Sequence, residues 1–242
     1  MRLARGGSQL SVAEVAAVVA EAARAKRVVA AHAHGAPGIA SAIEAGVHTL
    51  EHGSYLNASL ATRAKARGMI HVPTITICQT FNASARPDEY DALQWAKGQD
   101  VLDHNTAAVR TSIALGLTLA TGTDCPGNCA QVAREAAYLN MFGLSELGAI
   151  EALTANGPAT LGALGMAPRS GRLAAGYEAD LVGFAAASPL GGNLSALADA
   201  AALTHVFKGG VAYKAPGDAR CDDVATNTPE AVAAWMPLPP EW

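Results

Sequence analysis

The sequence predicts an α/β protein with a parallel sheet and a small β appendage, and three observations carry that expectation. Short β-rich apolar runs alternate with helical runs at roughly 20-residue intervals, the pattern of right-handed βαβ units. Three of the four runs that read as strands end in a polar residue. Beyond Gly165 helical periodicity gives way to short extended runs between Gly and Pro turns.

Ser11 followed by Glu14 is a capping box, and Val12, Val15, Val18, Val19 and Ala22 recur at helical spacing, so residues 12–26 are predicted as a helix. Residues 27–33, RVVAAHA, read as a strand buried on both faces of a parallel sheet and ended by Gly35, Pro37 and Gly38. A short helix over 37–45 closed by Gly46, a strand over 47–51, a helix from the Asn57 cap to Gly68 and a strand over 69–72 repeat the unit. After Pro73 come a polar loop over 82–91, a long helix to about residue 115, and a strand over 117–121 that runs into GTDCPG. Residues 130–164 read as helical, interrupted near Gly143 and at 156–158. Extended runs follow at 171–173, 179–184 and 204–207, and 211–213 returns after Gly209 and Gly210 in hairpin fashion. Residues 215–242, rich in Asp, Pro and Ala, are expected to form a surface-wrapping or partly disordered tail.

Half of the residues are hydrophobic, but 55 are alanines that bury little area each, so the expected core is adequate and not large. Seventeen basic and 21 acidic residues give a net charge of −4 without any basic cluster, which argues against a nucleic-acid partner. No run approaches ~18 apolar residues, and MRLARGGSQL lacks the apolar core of a leader, so a soluble, cytoplasmic protein is expected. Four cysteines are too few for a disulfide scaffold, and Cys125 and Cys129 read as buried free thiols. No Gly-rich phosphate loop follows a strand, which sets aside nucleotide binding.

His32 and His34 stand at the carboxyl end of the first strand, His52 ends the second in LEHG, and Asp124 ends the fourth in GTD. Ligands gather at that edge of α/β sheets. Imidazoles and a carboxylate projected from successive parallel strands suit a divalent transition metal such as zinc, and the same Asp could take a proton from water on that metal. A lone His in an apolar strand is more often a satisfied core residue. Three at one sheet end would cost ~1–3 kcal/mol each if buried without a shared partner, so spacing alone leaves the two readings balanced. Thr74 reads as a strand terminus, and His48, His71, His104 and His205 as structural.

Taken together, VVAAHAHGAPGIASAIEAGVHTLEHGSYL, VPT at 72–74, LATGTD at 119–124, EALTANGPATLGALG at 151–165 and GRLAAGYEADLVGF at 171–184 resemble the amidohydrolase superfamily. The resemblance runs over about residues 1–212 and is nearest to the branch of imidazolonepropionase and the metal-dependent Xaa-Pro dipeptidases. It implies a (β/α)8 barrel with a small β-sandwich. The implied metal ligands are a His-x-His on strand one, a carboxylated Lys on strand four, one His each on strands five and six, and an Asp on strand eight. His32 then falls on strand five, His52 on strand six and Asp124 on strand eight, all three as metal ligands, with Asp124 also the catalytic acid and base. His34 and Tyr55 are candidate substrate-binding residues; a core or rim position for His34 and a loop-capping role for Tyr55 are equal alternatives.

A full barrel takes ~250 residues, whereas the barrel-like part here is residues 1–165. The opening MRLARGG resembles the end of the family's fourth strand, and no His-x-His precedes it. His32-Ala-His34 matches that pattern literally, but the residues after it fit strands five and six. The expected fold class is therefore α/β, the second half of a TIM-like barrel (strands four or five to eight) over 1–165, with a C-terminal β-sandwich segment over 166–214 and a tail over 215–242. The implied function is metal-dependent hydrolysis, zinc first among the metals, of the amide C–N bond of a small cyclic amide, dipeptide or acylated amino acid. Half a barrel has open sheet edges, so a homodimer or a complementing N-terminal half is the expected partner. The alternative is a non-catalytic remnant or assembly partner.

Overall fold

The computed structural model of the protein describes residues 7–83, 85, 86, 88, 90–124, 132–162, 169–185, 190, 191, 194–199 and 201–216. Cys125, Cys129 and all but the first two residues of the expected tail lie outside them. Helix α1 (Val12–Arg24) begins at the foreseen box: Ser11 Oγ accepts from Glu14 N while the Glu14 carboxylate accepts from Ser11 N at 2.7 Å. Strand β1 (Ala30–Ala33), helix α2 (Ala36–Ala45), β2 (Thr49–His52), α3 (Ala58–Ala66) and β3 (Ile70–Val72) follow in strict alternation. Helix α4 (Ile75–Gln79), α5 (Ala92–Leu115) and β4 (Thr118–Leu119) complete the first sheet. Its order is β1-β2-β3-β4 and every pair is parallel, as the βαβ spacing predicts.

Helices α6 (Val132–Met141), α7 (Glu146–Leu153) and α8 (Asn156–Ala159) come next, then a second sheet of β5 (Leu181–Phe184), β6 (Leu203–Lys208) and β7 (Val211–Lys214), antiparallel throughout. One core cluster joins Ile39, Ile43, Leu50, Leu60 and Met69 under α2 and α3. Another joins Ile75, Val109, Leu139 and Phe142 where α4, α5 and α6 meet. Among the described residues no helix is long and apolar enough to cross a membrane.

Four expectations are corrected. The first strand is shorter than 27–33 and is not buried on both faces: β1 is the edge of its sheet, and Ala30 and His32 are exposed. Helix α1 ends at Arg24, short of the predicted residue 26; it has no buried residue, only Val15 and Val19 lean on the core, and Leu10 and Val18 are 51% and 53% exposed. The helical stretch after residue 130 breaks at Thr154 and Ala155, while 156–158 form the start of α8, whose first turn tolerates Pro158. Residues 171–173 are not a strand. Gly171 sits at φ 75 with its missing Cβ only 2.4 Å from the Thr154 carbonyl oxygen, so the chain makes a close backbone crossing there that only glycine permits.

Helix α4 and the 3-10 turn Thr80–Asn82 after it have no sequence signal. Five residues cannot stand alone as a helix, because nucleation costs more than one turn of hydrogen bonds returns. The missing stabilisation comes from α6: the fully buried Glu135 carboxylate accepts from Ile75 N at 2.9 Å and from Thr76 N at 2.5 Å. Burial outweighs these two donors and pushes the Glu135 carboxyl up to about 7. The unfolded chain ionises this group near 4.5, so the stability it contributes is complete below that pH and is lost as pH rises through about 7, by up to about 3 kcal/mol. Denaturant titrations of Glu135→Gln and the native chain should therefore differ with pH. From about pH 5 to about pH 8 the variant should gain relative to the native chain, by up to about 3 kcal/mol; a difference that does not change with pH would contradict this.

Candidate metal centre

Register and alternation set the direction of each side chain at the carboxyl edge of the sheet. His32 pairs with Glu51 and Ala33 with His52. Ala33 faces α2, where it lies 3.8 Å from the position of a Gly38 Cβ, so His32 and His34 share the opposite face. Strict alternation would send His52, like Leu50, to the helix side. It does not go there: its ring lies 4.4 Å from that of His32 and 4.6 Å from that of His34. The cause is backbone. His52 adopts φ 65, a left-handed conformation that costs a non-glycine residue about 1–3 kcal/mol and turns the ring back over the sheet end.

Buried polar groups hold that conformation. The His52 carbonyl accepts from His71 Nε2 at 3.0 Å and from Asn105 Nδ2 at 3.5 Å, and Asn105 Nδ2 also donates to the Pro73 carbonyl at 3.0 Å. A carbonyl only accepts, so His71 carries its proton on Nε2 and its Nδ1 accepts from Ser112 Oγ at 2.9 Å. Complete burial keeps His71 neutral by lowering it to about 4. The ring of His52 is fixed in turn by Thr74 Oγ1, 2.7 Å from its Nδ1. Thr74 and Asp124 also have positive φ, 50° and 49°, so the second, third and fourth strands of the sheet each end or are followed by a non-glycine residue turned left-handed.

Nitrogen atoms of His32, His34 and His52 all lie within 4.8 Å of one another, a group that could hold a metal ion. His34 Nδ1 meets Ser54 Oγ at 2.9 Å. Burial, and then the neighbouring imidazole of His32, lowers His34 to about 4. Burial, and then His34 and His32, lowers His52 to about 3. Neutral imidazoles are what a transition metal requires. Asp124 lines the same cavity of about 940 Å3 but is not a member of the three-histidine group. Burial first, with the Asp124 charge adding to it, raises Glu51, whose carboxylate accepts from Thr49 Oγ1 at 2.5 Å. The cavity wall continues over Cys78, a buried free thiol pushed up to about 12 and so unreactive, to Phe81, Tyr90 and Lys97.

A profile of the Amidohydrolase family matches residues 4–212. The chain belongs to this family. It is 37% identical to an ochratoxinase of Aspergillus niger over 211 residues, which are 87% of this chain and 43% of the relative. The crystal structure of A. niger ochratoxinase superimposes with a TM-score of 0.74 at 38% identity, covering 86% of this chain and 46% of that one. A Xaa-Pro dipeptidase with methionine bound in its active site gives a TM-score of 0.77 at 27% identity, over 87% and 51% of the two chains. The chain thus spans less than half the length of the curated relative it matches. The amidohydrolase resemblance of the five motifs is borne out.

Of the site residues named from the sequence, His32, His34 and His52 come together and Asp124 lines the same cavity. Tyr55 does not line that cavity; its phenol donates to Asp100 Oδ2 at 2.7 Å, and its ring lies 4.2 Å from that of His104. Of the structural histidines, His48 bonds the Ala159 carbonyl at 3.1 Å and His205 stacks on Phe207. His71 is structural too, but it acts directly on His52. Ser54, Glu51, Asn105 and Ser112 were not singled out by sequence reasoning. Ser54 and Glu51 flank His52 in LEHGS and could have been found by asking what would hold its neighbours; Asn105 and Ser112 sit mid-helix in α5 and carry no local signal. His71→Leu should destabilise the chain by at least about 2 kcal/mol in denaturant titration, because it strips a donor from the His52 carbonyl and leaves Ser112 unpaired. A change within about 0.5 kcal/mol, the size of a surface substitution, would contradict that role.

Proposed function

We propose that this chain supplies the metal-holding, C-terminal half of an amidohydrolase that cleaves the amide C–N bond of a small substrate. The substrate would be a dipeptide, an acylated amino acid or a cyclic amide. The observation that carries this reading is the convergence of three imidazoles at the carboxyl edge of a parallel sheet, in a chain of this family. The donor chemistry fits a divalent ion of borderline softness, zinc foremost, and His32 and His52 would hold it, with Asp124 as the carboxylate on the cavity wall. When bound, such an ion supplies Lewis acidity to the amide carbonyl and acidity to water. Thr74 holds the His52 ring at Nδ1, so that Nε2 would be the nitrogen offered to the ion. Asp124 takes a proton from the attacking water and returns it to the leaving nitrogen as the C–N bond breaks. A cavity of about 940 Å3 accommodates a dipeptide-sized ligand.

In this reading β1 to β4 are strands five to eight of a barrel, and the sheet from Leu181 to Lys214 is the C-terminal part of its sandwich. The exposed edge of β1 and the apolar side chains of Leu10 and Val18 beside it are the faces that the first four strands would cover, whether these come from a preceding segment, a separate chain or a second copy. The full chain should bind close to one equivalent of zinc by elemental analysis, and the His32→Ala/His52→Ala double variant should bind none. Mixed with a fragment bearing His-x-His and a strand-ending Lys, the chain should hydrolyse an acylated amino acid, and Asp124→Asn should lower that rate about 100- to 10,000-fold. Metal-free native protein, or full activity in Asp124→Asn, would overturn the reading.

A further inference from the structure

Helix α5 is much longer than the sheet it covers. Its 24 residues span about 36 Å, whereas β2 and β3, of four and three residues, span about 10–13 Å. Asn105 fixes its level, because it donates to the His52 and Pro73 carbonyls at the carboxyl edge. The helix runs from the end of β3 back to the start of β4, so the residues ahead of Asn105 rise beyond that edge. Gln94, Lys97, Gly98 and Val101 follow at spacings of three and four, which keep them on one helix face, and all four line the cavity. Lys97 precedes Asn105 by a little over two turns and therefore stands about 12 Å beyond the strand ends.

The wall around Lys97 is apolar and aromatic. Phe81 lies against Gly98, where any side chain would overlap its ring, and meets the rings of Tyr90 and Trp95 at 5.1 and 5.4 Å between centroids. Glycine is a poor helix former, and the ring it seats explains its place in mid-helix. Phe81 and Tyr90 line the cavity, while Trp95 is buried beside them. Lys97, half-buried, is the only lysine or arginine among the described residues that line the cavity. Lys65 donates to the Leu115 carbonyl and Lys208 to Glu178 and Asp180, but among the described residues the Lys97 ammonium has no hydrogen bond or ion pair. A cation partly withdrawn from water into such a wall is best offset by an anion.

Resting on the hydrolase reading above, we propose that Lys97 and the Phe81–Tyr90 wall form an outer subsite. It binds an anionic group, a carboxylate foremost, that the substrate carries beyond an apolar or aromatic spacer from the scissile amide. The amide lies at the strand ends, the spacer passes Val101 and Phe81, and the anion meets Lys97. Among small amides the cavity then selects those with a distant acid over neutral cyclic ones.

The acid 4-phenylbutyrate and the neutral 4-phenylbutanamide share ring and spacer and differ in charge. Each is titrated at pH 7 into the full chain with a chelator present, so that no ion receives the acid, and binding is read from the indole nitrogen resonance of Trp95. The acid should bind at least about 10-fold more tightly than the amide. Lys97→Met should bring the acid to the amide's affinity, and Lys97→Arg should keep the preference. Circular dichroism checks the fold of each variant, and zinc uptake, measured separately without chelator, should match the native chain in both. Equal affinity for acid and amide, binding of neither, or an unchanged preference in Lys97→Met overturns the subsite; with zinc uptake intact, the hydrolase reading survives that failure. A chain that prefers the acid through Lys97 but takes up no zinc keeps the subsite and loses the metal-dependent reading.

Discussion

The hydrogen bonds to the carbonyl oxygen of His52 are the constraint on which the site depends. By register this histidine belongs on the helix side of the sheet with Leu50 and Ala33. A left-handed backbone reverses it, and that conformation persists because His71 and Asn105, both fully buried, donate to the one oxygen it presents. The strain of about 1–3 kcal/mol is of the same order as two buried hydrogen bonds, so the turn is held but not by a wide margin. A glycine next to it is part of the same device. Gly53 is left-handed, and a Cβ there would come within 2.7 Å of His71 Nε2, so the chain must lack a side chain where the clamp closes.

The clamp reaches the rest of the site through two neighbours. Thr74, also left-handed, ties the third strand end to the ring of His52, and the short helix that begins at the next residue is pinned by Glu135 from across the chain. Ser54, two residues past His52, ties the second strand end to the ring of His34. Three strand ends are therefore linked by side-chain hydrogen bonds on one side of the sheet and by packed Ile39, Ile43 and Leu50 on the other. On β1 the support stops. His32 is exposed and, among the described residues, its strand has no partner on its outer edge, so the support that this member of the imidazole group has there comes from the β2 side.

Much of the fold was legible from the residues because it is set by local rules. The capping box at Ser11 and Glu14, the Asn57 cap and the glycine stops at Gly46 and Gly68 act within one turn of chain, and each appears where the spacing places it or within two residues. The parallel order of β1 to β4 follows from alternation with helices. Helix α4 escaped because its stability comes from Glu135, about sixty residues away in sequence. Burial of β1 was overread for a related reason: Val28 and Val29 are apolar enough for a core strand, but burial depends on a neighbour that the described chain does not provide.

The sequence by itself determined the chemistry available at this site: which strand ends carry imidazole or carboxylate, that they share one sheet edge, and that their motifs are those of an amidohydrolase. Only the tertiary structure decided how they meet. It put His34 beside His32 and His52, left Asp124 apart on the cavity wall, and gave Tyr55 to Asp100. The physical reason is that period and motif fix a side chain's position along its own strand, whereas its direction at a strand end depends on a backbone turn. That turn is stabilised by buried donors from elements distant in sequence.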